Sequence, residues 1–296
     1  MKKNLFTLLI SILFVFVSCR KTNEEKNNEE VKTDTLQSYI NKKEIERKIK
    51  RKEIEKQKEI DSINLDKILK KAIIIANNNI SINKFKKEYV ETMPDSLFLV
   101  EISISSDFYF SNEVSHFIIK RNTPDAIYID IFSKEDKKVK KVLSHEQWNM
   151  TYRNDTIQDI NGDGLKDFVV NWYGATGCCL KAFSNIYLLR KDKISFSKNF
   201  EFINPTFSPK EKIIRGVCYG HPGNTEMYKY KWNGENVDTL EYVSFERNEN
   251  GRTGKIIISN RIPFEKNFKI LKKLNSVPSE YKKIEGYDWF NANEFN

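Results

Sequence analysis

Asp159-Ile160-Asn161-Gly162-Asp163-Gly164-Leu165-Lys166-Asp167, running directly into Phe168-Val169-Val170-Asn171-Trp172, is the stretch that decides the fold. Oxygen-bearing side chains recur at alternate positions around a glycine bend. A short loop of this kind can surround a hard divalent cation with about six to eight oxygens at about 2.3–2.6 Å. Asp159, Asn161 and Asp163 take loop positions 1, 3 and 5. Gly164 takes position 6, where the backbone must turn sharply, and Leu165 offers its carbonyl at position 7. Asp167, at position 9, would bind directly or through water. Position 12 is Val170 where an EF-hand has a bidentate Glu, and the run from Phe168 is rich in β-branched and aromatic residues. The loop therefore feeds a strand and not a helix. It reads as a calcium loop in a β protein, set against the simpler alternative of an Asn/Asp/Gly turn that binds nothing.

Strand signals repeat on both sides of the loop. Upstream they predict Leu97–Ile104, His116–Lys120, Ala126–Phe132 and Val139–Leu143, separated by polar turns. Downstream they predict Phe168–Trp172, Asn185–Leu189, Ile213–Cys218, Met227–Trp232, Asp238–Phe245 and Lys255–Ser259. The pairs flanking Asn233-Gly234-Glu235-Asn236 and Asn248–Gly254 read as hairpins. The expected fold is mainly β, of antiparallel sheets in a propeller-like or sandwich arrangement, preceded by a long charged N-terminal helix.

The N-terminus predicts export. Met1-Lys2-Lys3 is a positive n-region, and Leu5 to Val17 is an apolar run of signal-peptide length, short for a bilayer span. The run ends Phe16-Val17-Ser18-Cys19, which resembles a bacterial lipobox with Phe16 in place of the usual Leu. That resemblance implies a signal peptide over 1–18 and acylation of Cys19, which would tether the chain without a spanning helix. The expected location is the cell envelope, extracytoplasmic, at the outer membrane or cell surface, with the membrane as first partner through the lipid.

Residues 19–64 read as a charged linker or helical stalk. From Arg20 to about Lys71 the chain is nearly all Lys, Glu, Asn, Gln and Ile, with no Gly or Pro and one aromatic, Tyr39. Asn23 to Glu30 is too polar to bury a core and is expected to lack structure. Beyond Thr35, isoleucines at 40, 45, 49, 54, 60 and 63 fall at helix-compatible but irregular intervals, which suits a solvated helix better than a coiled coil. Apolar residues at 65, 68, 69, 72, 73 and 76 then form a helical stripe, which Asn77-Asn78-Asn79 ends, so that 65–296 is read as the β-rich domain. The formal charge of +9 becomes 9 − 2 = +7 without Lys2 and Lys3. Lys and Glu alternate through the excess, and an exported chain has no nucleic acid to meet.

The loop and its strand, D-x-N-G-D-G-x-x-D followed by apolar residues, resemble the calcium turn of FG-GAP and VCBS blades. Those families repeat the motif blade after blade, whereas it occurs once here. The region 150–245 is most similar to uncharacterised secreted bacterial lipoproteins with a single such loop, some of them akin to lysozyme-inhibitor or immunity-type proteins. The resemblance implies bound calcium and recognition of an envelope protein or glycan.

Cys178, Cys179 and Cys218 remain after Cys19, and an oxidising compartment makes them disulfide candidates. Cys218 could bridge to either Cys178 or Cys179; a vicinal bridge is strained, and Cys218 with His221 also has zinc-type spacing. Tyr228, Tyr230 and Trp232 would share one strand face, with Lys229 and Lys231 on the other. That stripe and His221, in the turn Gly220-His221-Pro222-Gly223, are the candidate partner contacts, with core packing the commoner fate of such aromatics. No catalytic residue is assigned: His116, His145 and His221 sit beside no nucleophile motif. The sequence thus favours a lipid-anchored binding protein with a structural calcium loop, an inhibitor or immunity factor for a cell-wall enzyme. The alternative is a calcium-dependent envelope hydrolase acting on glycan or peptide.

Overall fold

The computed structural model describes residues 23–94, 98–135, 137–177 and 179–293; on the N-terminal helix it describes side chains at Tyr39 and from Asn41 onward. Contacts divide the chain into Met1–Ser62 and Ile63–Asn296. Helix α1 (Asn23–Asn78) is continuous and includes 23–30, where polarity alone suggested no structure. Its described residues up to Glu59 are exposed, isoleucines 45, 49 and 54 included, as expected of a solvated stalk. The character changes at the stripe: Leu65, Ile68, Leu69, Ala72 and Ala76 are buried. The helix stops where the asparagines intervene, with the Asn79 side-chain amide donating to the Ile75 carbonyl and the Asn77 side-chain oxygen accepting from Val139 N–H.

Fifteen strands follow among the described residues, in three antiparallel sheets. The first sheet runs β1 (Phe85–Thr92), β2 (Leu99–Asp107), β3 (His116–Asn122), β4 (Ala126–Glu135), β5 (Lys138–Trp148), with neighbours in sequence paired in space. The second is β6 (Tyr152–Gln158), β7 (Asp167–Tyr173), β8 (Ala182–Tyr187), β9 (Phe200–Ile203), in the same simple order. The third is β10 (Pro205–Ser208), β11 (Ile213–Val217), β12 (Met227–Asn233), β13 (Asn236–Asn248), β14 (Gly251–Ser259), β15 (Ile270–Leu274). A short helix, α2 (Tyr287–Asn291), closes the described chain.

Strand side chains alternate between faces, and each sheet here has both faces covered. Phe117 and Ile119 on β3 pack under the stripe of α1 with Val100, Ile102 and Ile104. Ile118, with Ile127, Ile129 and Ile131, faces the second sheet at Phe168 and Val170. Val169, between those two, points the other way, to Ile186 and then to Ile214, Tyr228 and Trp232 of the third sheet. Met227, Val243, Ile256 and Ile258 line the far face of that sheet, beneath Val277, Tyr281, Ile284 and Phe290. This explains the unbroken apolar run Phe168-Val169-Val170: a strand covered on both sides has no polar face to show. Each such side chain contributes about 1.5–3 kcal/mol by leaving water. The three sheets stack in chain order and form no closed ring of blades.

One buried ion pair ties the α1 stripe to the first sheet. Arg121 donates to Asp130 at 2.9 Å and to the Leu65 carbonyl at 2.9 Å, while Ser144 and Lys141 meet the other Asp130 oxygen at 2.7 and 3.1 Å. Burying such charges is costly unless both are paired and hydrogen-bonded. Here both Asp130 oxygens are engaged, as are both terminal nitrogens of Arg121 through Asp130 and Leu65, and only Arg121 Nε is left without a partner.

Candidate functional site

The loop expected to hold calcium is the β6–β7 hairpin connection, and its residues reach all three sheets. Ile160 is buried in the core between the second and third sheets, while Leu165 packs against the core between the first and second. Lys166 N–H donates to the Phe110 carbonyl at 3.2 Å. Gly162, at φ +72°, sits so close to the turn after β10 that a Cβ there would overlap the Pro209 carbonyl oxygen. Gly164, at φ +88°, has open space around it and is required for its backbone conformation alone. Two glycines of one motif thus serve different needs.

The carboxylates are held by backbone N–H groups. Asp159 accepts from Gly162 at 2.7 Å through one oxygen and from Gly164 at 3.0 Å through the other. Asn161 Oδ1 accepts from Asp163 N–H at 3.0 Å, and Asp163 Oδ1 from Leu165 N–H at 2.9 Å. The Asn161 amide donates to Asp163 Oδ2 at 3.0 Å, joining loop positions 3 and 5. Asp167 is fully buried and accepts Ile160 N–H and Leu189 N–H, each at 2.9 Å, through separate oxygens. Burial pushes its carboxyl up to about 7; the two N–H donors oppose this, and the charges of Asp163 and Asp159 add to it.

These observations fit a hard cation in one respect and limit it in another. Three carboxylates lie close enough for Asp159 and Asp163 to raise Asp167, and a cation among them would remove that repulsion. Yet among the described residues no group of three or more His, Cys, Asp or Glu side chains converges as a metal centre. A bound ion would therefore draw on Asp159, Asp163, the Asn161 amide oxygen and the Leu165 carbonyl, with Asp167 placed behind them as the group that orders the loop.

Beside the loop lies an open cavity of about 600 Å³ whose lining includes Asn161 and Asp163 of the loop, Arg190 and Asp192. Lys212, Trp232 and Glu235 line it as well. Arg190 and Glu235 form a two-pronged pair at 2.6 and 3.0 Å, and the Arg190 hydrogen bond holds Glu235 below the usual carboxylate range. Asp192 is also low: burial would raise it, but hydrogen bonds from Ser195 and the Ile194 N–H outweigh that. Trp232 is buried and its indole N–H finds no acceptor. Spacing could not reveal this cavity, because its lining comes from four separated connections brought together by sheet stacking.

The other sequence candidates fall elsewhere. Tyr228 and Trp232 are buried in the core between the second and third sheets, and half-buried Tyr230 packs there too. Tyr228 stacks on Tyr230 at 4.4 Å, and Trp232 meets the edges of Phe200 and Phe202 at 5.1 and 5.7 Å. The stripe shares one face as expected, and that face packs in the core between the second and third sheets, with Trp232 also reaching the lining of the cavity. His221 is exposed, in a turn where the Asn224 N–H donates to the His221 carbonyl at 2.9 Å. Cys218 is a buried, unbridged thiol whose pKa burial pushes up to about 12, and Cys179 is buried. Cys178 and the lipidation candidate Cys19 lie outside the described residues, as does the 1–18 signal.

His116 and His145 are internal. His145 Nδ1 lies 2.8 Å from the Tyr187 hydroxyl, and burial lowers its pKa. His116 is packed edge-on against Phe110 and Phe196, with the backbone of Ile194 and Val114 beside its ring nitrogens but no well-aligned hydrogen bond to either nitrogen. Burial lowers its pKa to about 4, with the backbone of Ile194 and Val114 only partly opposing. No helix among the described residues is long and apolar enough to cross a membrane. No family model matches the chain, and neither the curated proteins nor the solved structures provide a match.

Proposed function

We propose that this chain is a lipid-anchored binding protein of the bacterial envelope, in which loop 159–167 holds a structural calcium ion. The observation that carries the proposal is the union of two features in one loop. Its carboxylates are pre-set by backbone N–H groups with repulsion among them, and its residues reach all three sheets. Asp159, Asn161, Asp163 and the Leu165 carbonyl would hold the ion, and Asp167 would fix the loop behind them. When bound, calcium supplies neutralisation and rigidity. The sandwich-like stack would then present its hairpin connections to an envelope protein or glycan, as an inhibitor or immunity factor does. Acylated Cys19 and the helix after it would form the tether.

The hydrolase alternative would need a carboxyl that keeps a proton beside the cavity. Asp192 and Glu235 in the lining are both held low, and Asp167, raised to about 7, is fully buried outside that lining with each oxygen taken by an N–H donor, which supports the binding reading.

Calorimetric titration of the chelator-treated protein with calcium tests the ion directly. Binding with a raised melting temperature is expected, and a ligand at a hundred times its Kd adds about 2.7 kcal/mol. Absence of bound ion together with unchanged melting removes calcium from the proposal. Capture from envelope extract, with and without chelator, tests the partner. Product formed from purified peptidoglycan would favour the hydrolase.

A further inference from the structure

The β14–β15 connection combines three features that the binding reading does not use. Ile262 packs against the core between the second and third sheets and fixes the base of the loop. Two residues later Phe264 is fully exposed. It stands at φ +71°, in the left-handed region that bulky side chains disfavour, and Asn267 follows at φ +66°. A large apolar ring held in a disfavoured conformation with nothing packed on it points to a role outside the fold.

The strand that follows extends the pattern. β15 is the edge strand of the third sheet, and Ile270 and Leu271 on it are exposed. The segment 255–273 carries Lys255, Arg261, Lys266, Lys269, Lys272 and Lys273 against a single acid, Glu265, a net of 6 − 1 = +5. Glu246 of β13 engages Lys273 at 2.5 Å, which offsets one of these charges. A protruding aromatic, two exposed aliphatics and a surplus of lysines match a surface that is apolar beneath an anionic layer. Aromatic and aliphatic side chains enter the headgroup boundary of a bilayer, while lysines extend toward its phosphates. A soluble polyanion would satisfy the lysines and leave Phe264, Ile270 and Leu271 in water.

We propose that the 260–273 hairpin docks on the headgroup region of an anionic lipid bilayer, with Phe264 as the inserted side chain. Such a contact would give the chain a second hold on the membrane beside the lipid proposed at Cys19 and would fix how the β domain faces the bilayer. The choice of a bilayer draws on the envelope reading above, but the contact chemistry stands without the acyl anchor.

The full chain carrying Phe264→Trp tests this, with wild-type protein as the reference for the four native tryptophans. On vesicles of brominated phosphatidylcholine containing phosphatidylglycerol, emission from the added indole should be quenched. On brominated phosphatidylcholine alone it should persist. Adding Lys269→Gln and Lys272→Gln should raise the anionic lipid needed for equal quenching roughly 30-fold, at about 1 kcal/mol for each lysine. No quenching on anionic vesicles, or equal quenching on both, overturns the proposal. A soluble anionic polysaccharide that shifts the emission as the vesicles do would assign the hairpin to glycan. Sedimentation showing a dimer that Phe264→Ser dissolves would assign it to a second copy of the chain; either result also overturns the proposal. The mass of the mature N-terminus reports acylation separately, so loss of the anchor and loss of the hairpin contact are distinguishable.

Discussion

The 159–167 and 260–269 loops both carry residues in the left-handed region, and they solve opposite problems. In the first, positive φ falls on Gly162 and Gly164, and the polar side chains accept the loop's own N–H groups. In the second, positive φ falls on Phe264 and Asn267, and the charged residues are exposed. Where the first connection is wedged between sheets, at Ile160, Gly162 and Asp167, close backbone approach needs glycine and buried polar groups need partners, while Asp163 and Gly164 at its tip stay open to water. A connection at the surface has no such limit and can carry a strained aromatic. The same backbone feature therefore marks a clamp in one place and a presented side chain in the other.

The comparison fails first at Asp167 if the clamp is not real. Asp167→Ala leaves two buried N–H groups without an acceptor and should cost about 4 kcal/mol in denaturant unfolding, at about 1–3 for each group. A cost near that of an exposed loop substitution would mean the loop does not hold the sheets.

A pH effect shows whether the clamped end continues into the next layer. His116 lies against Phe110, whose carbonyl accepts Lys166 N–H from the loop. Its folded pKa of about 4 lies below the ordinary 6.5, so folding favours the neutral ring. The stabilisation is complete above pH 6.5 and is lost as pH falls from there toward 4, by about 3 kcal/mol in all. His145 shifts in the same direction and adds to the loss. Asp167, whose folded pKa of about 7 lies above the ordinary 3.8, has the opposite sign and loses stabilisation as pH rises through the same window. The test is therefore the difference between two profiles: from pH 7 to pH 4, His116→Phe should lose about 3 kcal/mol less than wild type. An unchanged profile would place protonation elsewhere.

The two glycines separate packing from backbone strain. Gly162→Ala meets the Pro209 carbonyl as well as an unfavourable φ, and about 2–3 kcal/mol is expected from the two together. Gly164→Ala meets open space and should cost only about 1 kcal/mol. Equal values would show that the contact with the third sheet is absent in solution. Phe264→Asn is the smallest change and has the opposite sign: asparagine tolerates the left-handed region, so stability should rise by about 0.5–1 kcal/mol. A loss there would mean that Phe264 packs on something and is not a free ring.

Much of the fold was legible along the chain, and the gaps have physical reasons. Strands such as β4, β7 and β12 have apolar residues dense enough to read directly. β1 (Phe85–Thr92) and β6 (Tyr152–Gln158) escaped notice because each lies at a sheet edge where more than half of the residues are polar, and β15, also at an edge, because it is short and interrupted by Lys272 and Lys273. The short β9 and β10 meet at Asn204, whose backbone at φ +47° marks the crossing from the second sheet to the third. Within the candidate site, the alternating oxygens of 159–167 were visible because one continuous segment supplies them. Arg190, Asp192, Lys212 and Glu235 were invisible as a group because no local spacing joins them.

The sequence by itself determined the antiparallel β character, the solvated helix with its terminal stripe, the loop chemistry and the shared face of Tyr228, Tyr230 and Trp232. Each follows from neighbours a few residues apart, through helical or strand periodicity or loop spacing. Only tertiary structure decided that this aromatic face is internal, that the three sheets stack in order, that Gly162 answers to Pro209, and that Phe264 has nothing over it. Those outcomes depend on which surfaces meet across long separations in the chain, and burial is a property of the assembled layers that no local pattern carries.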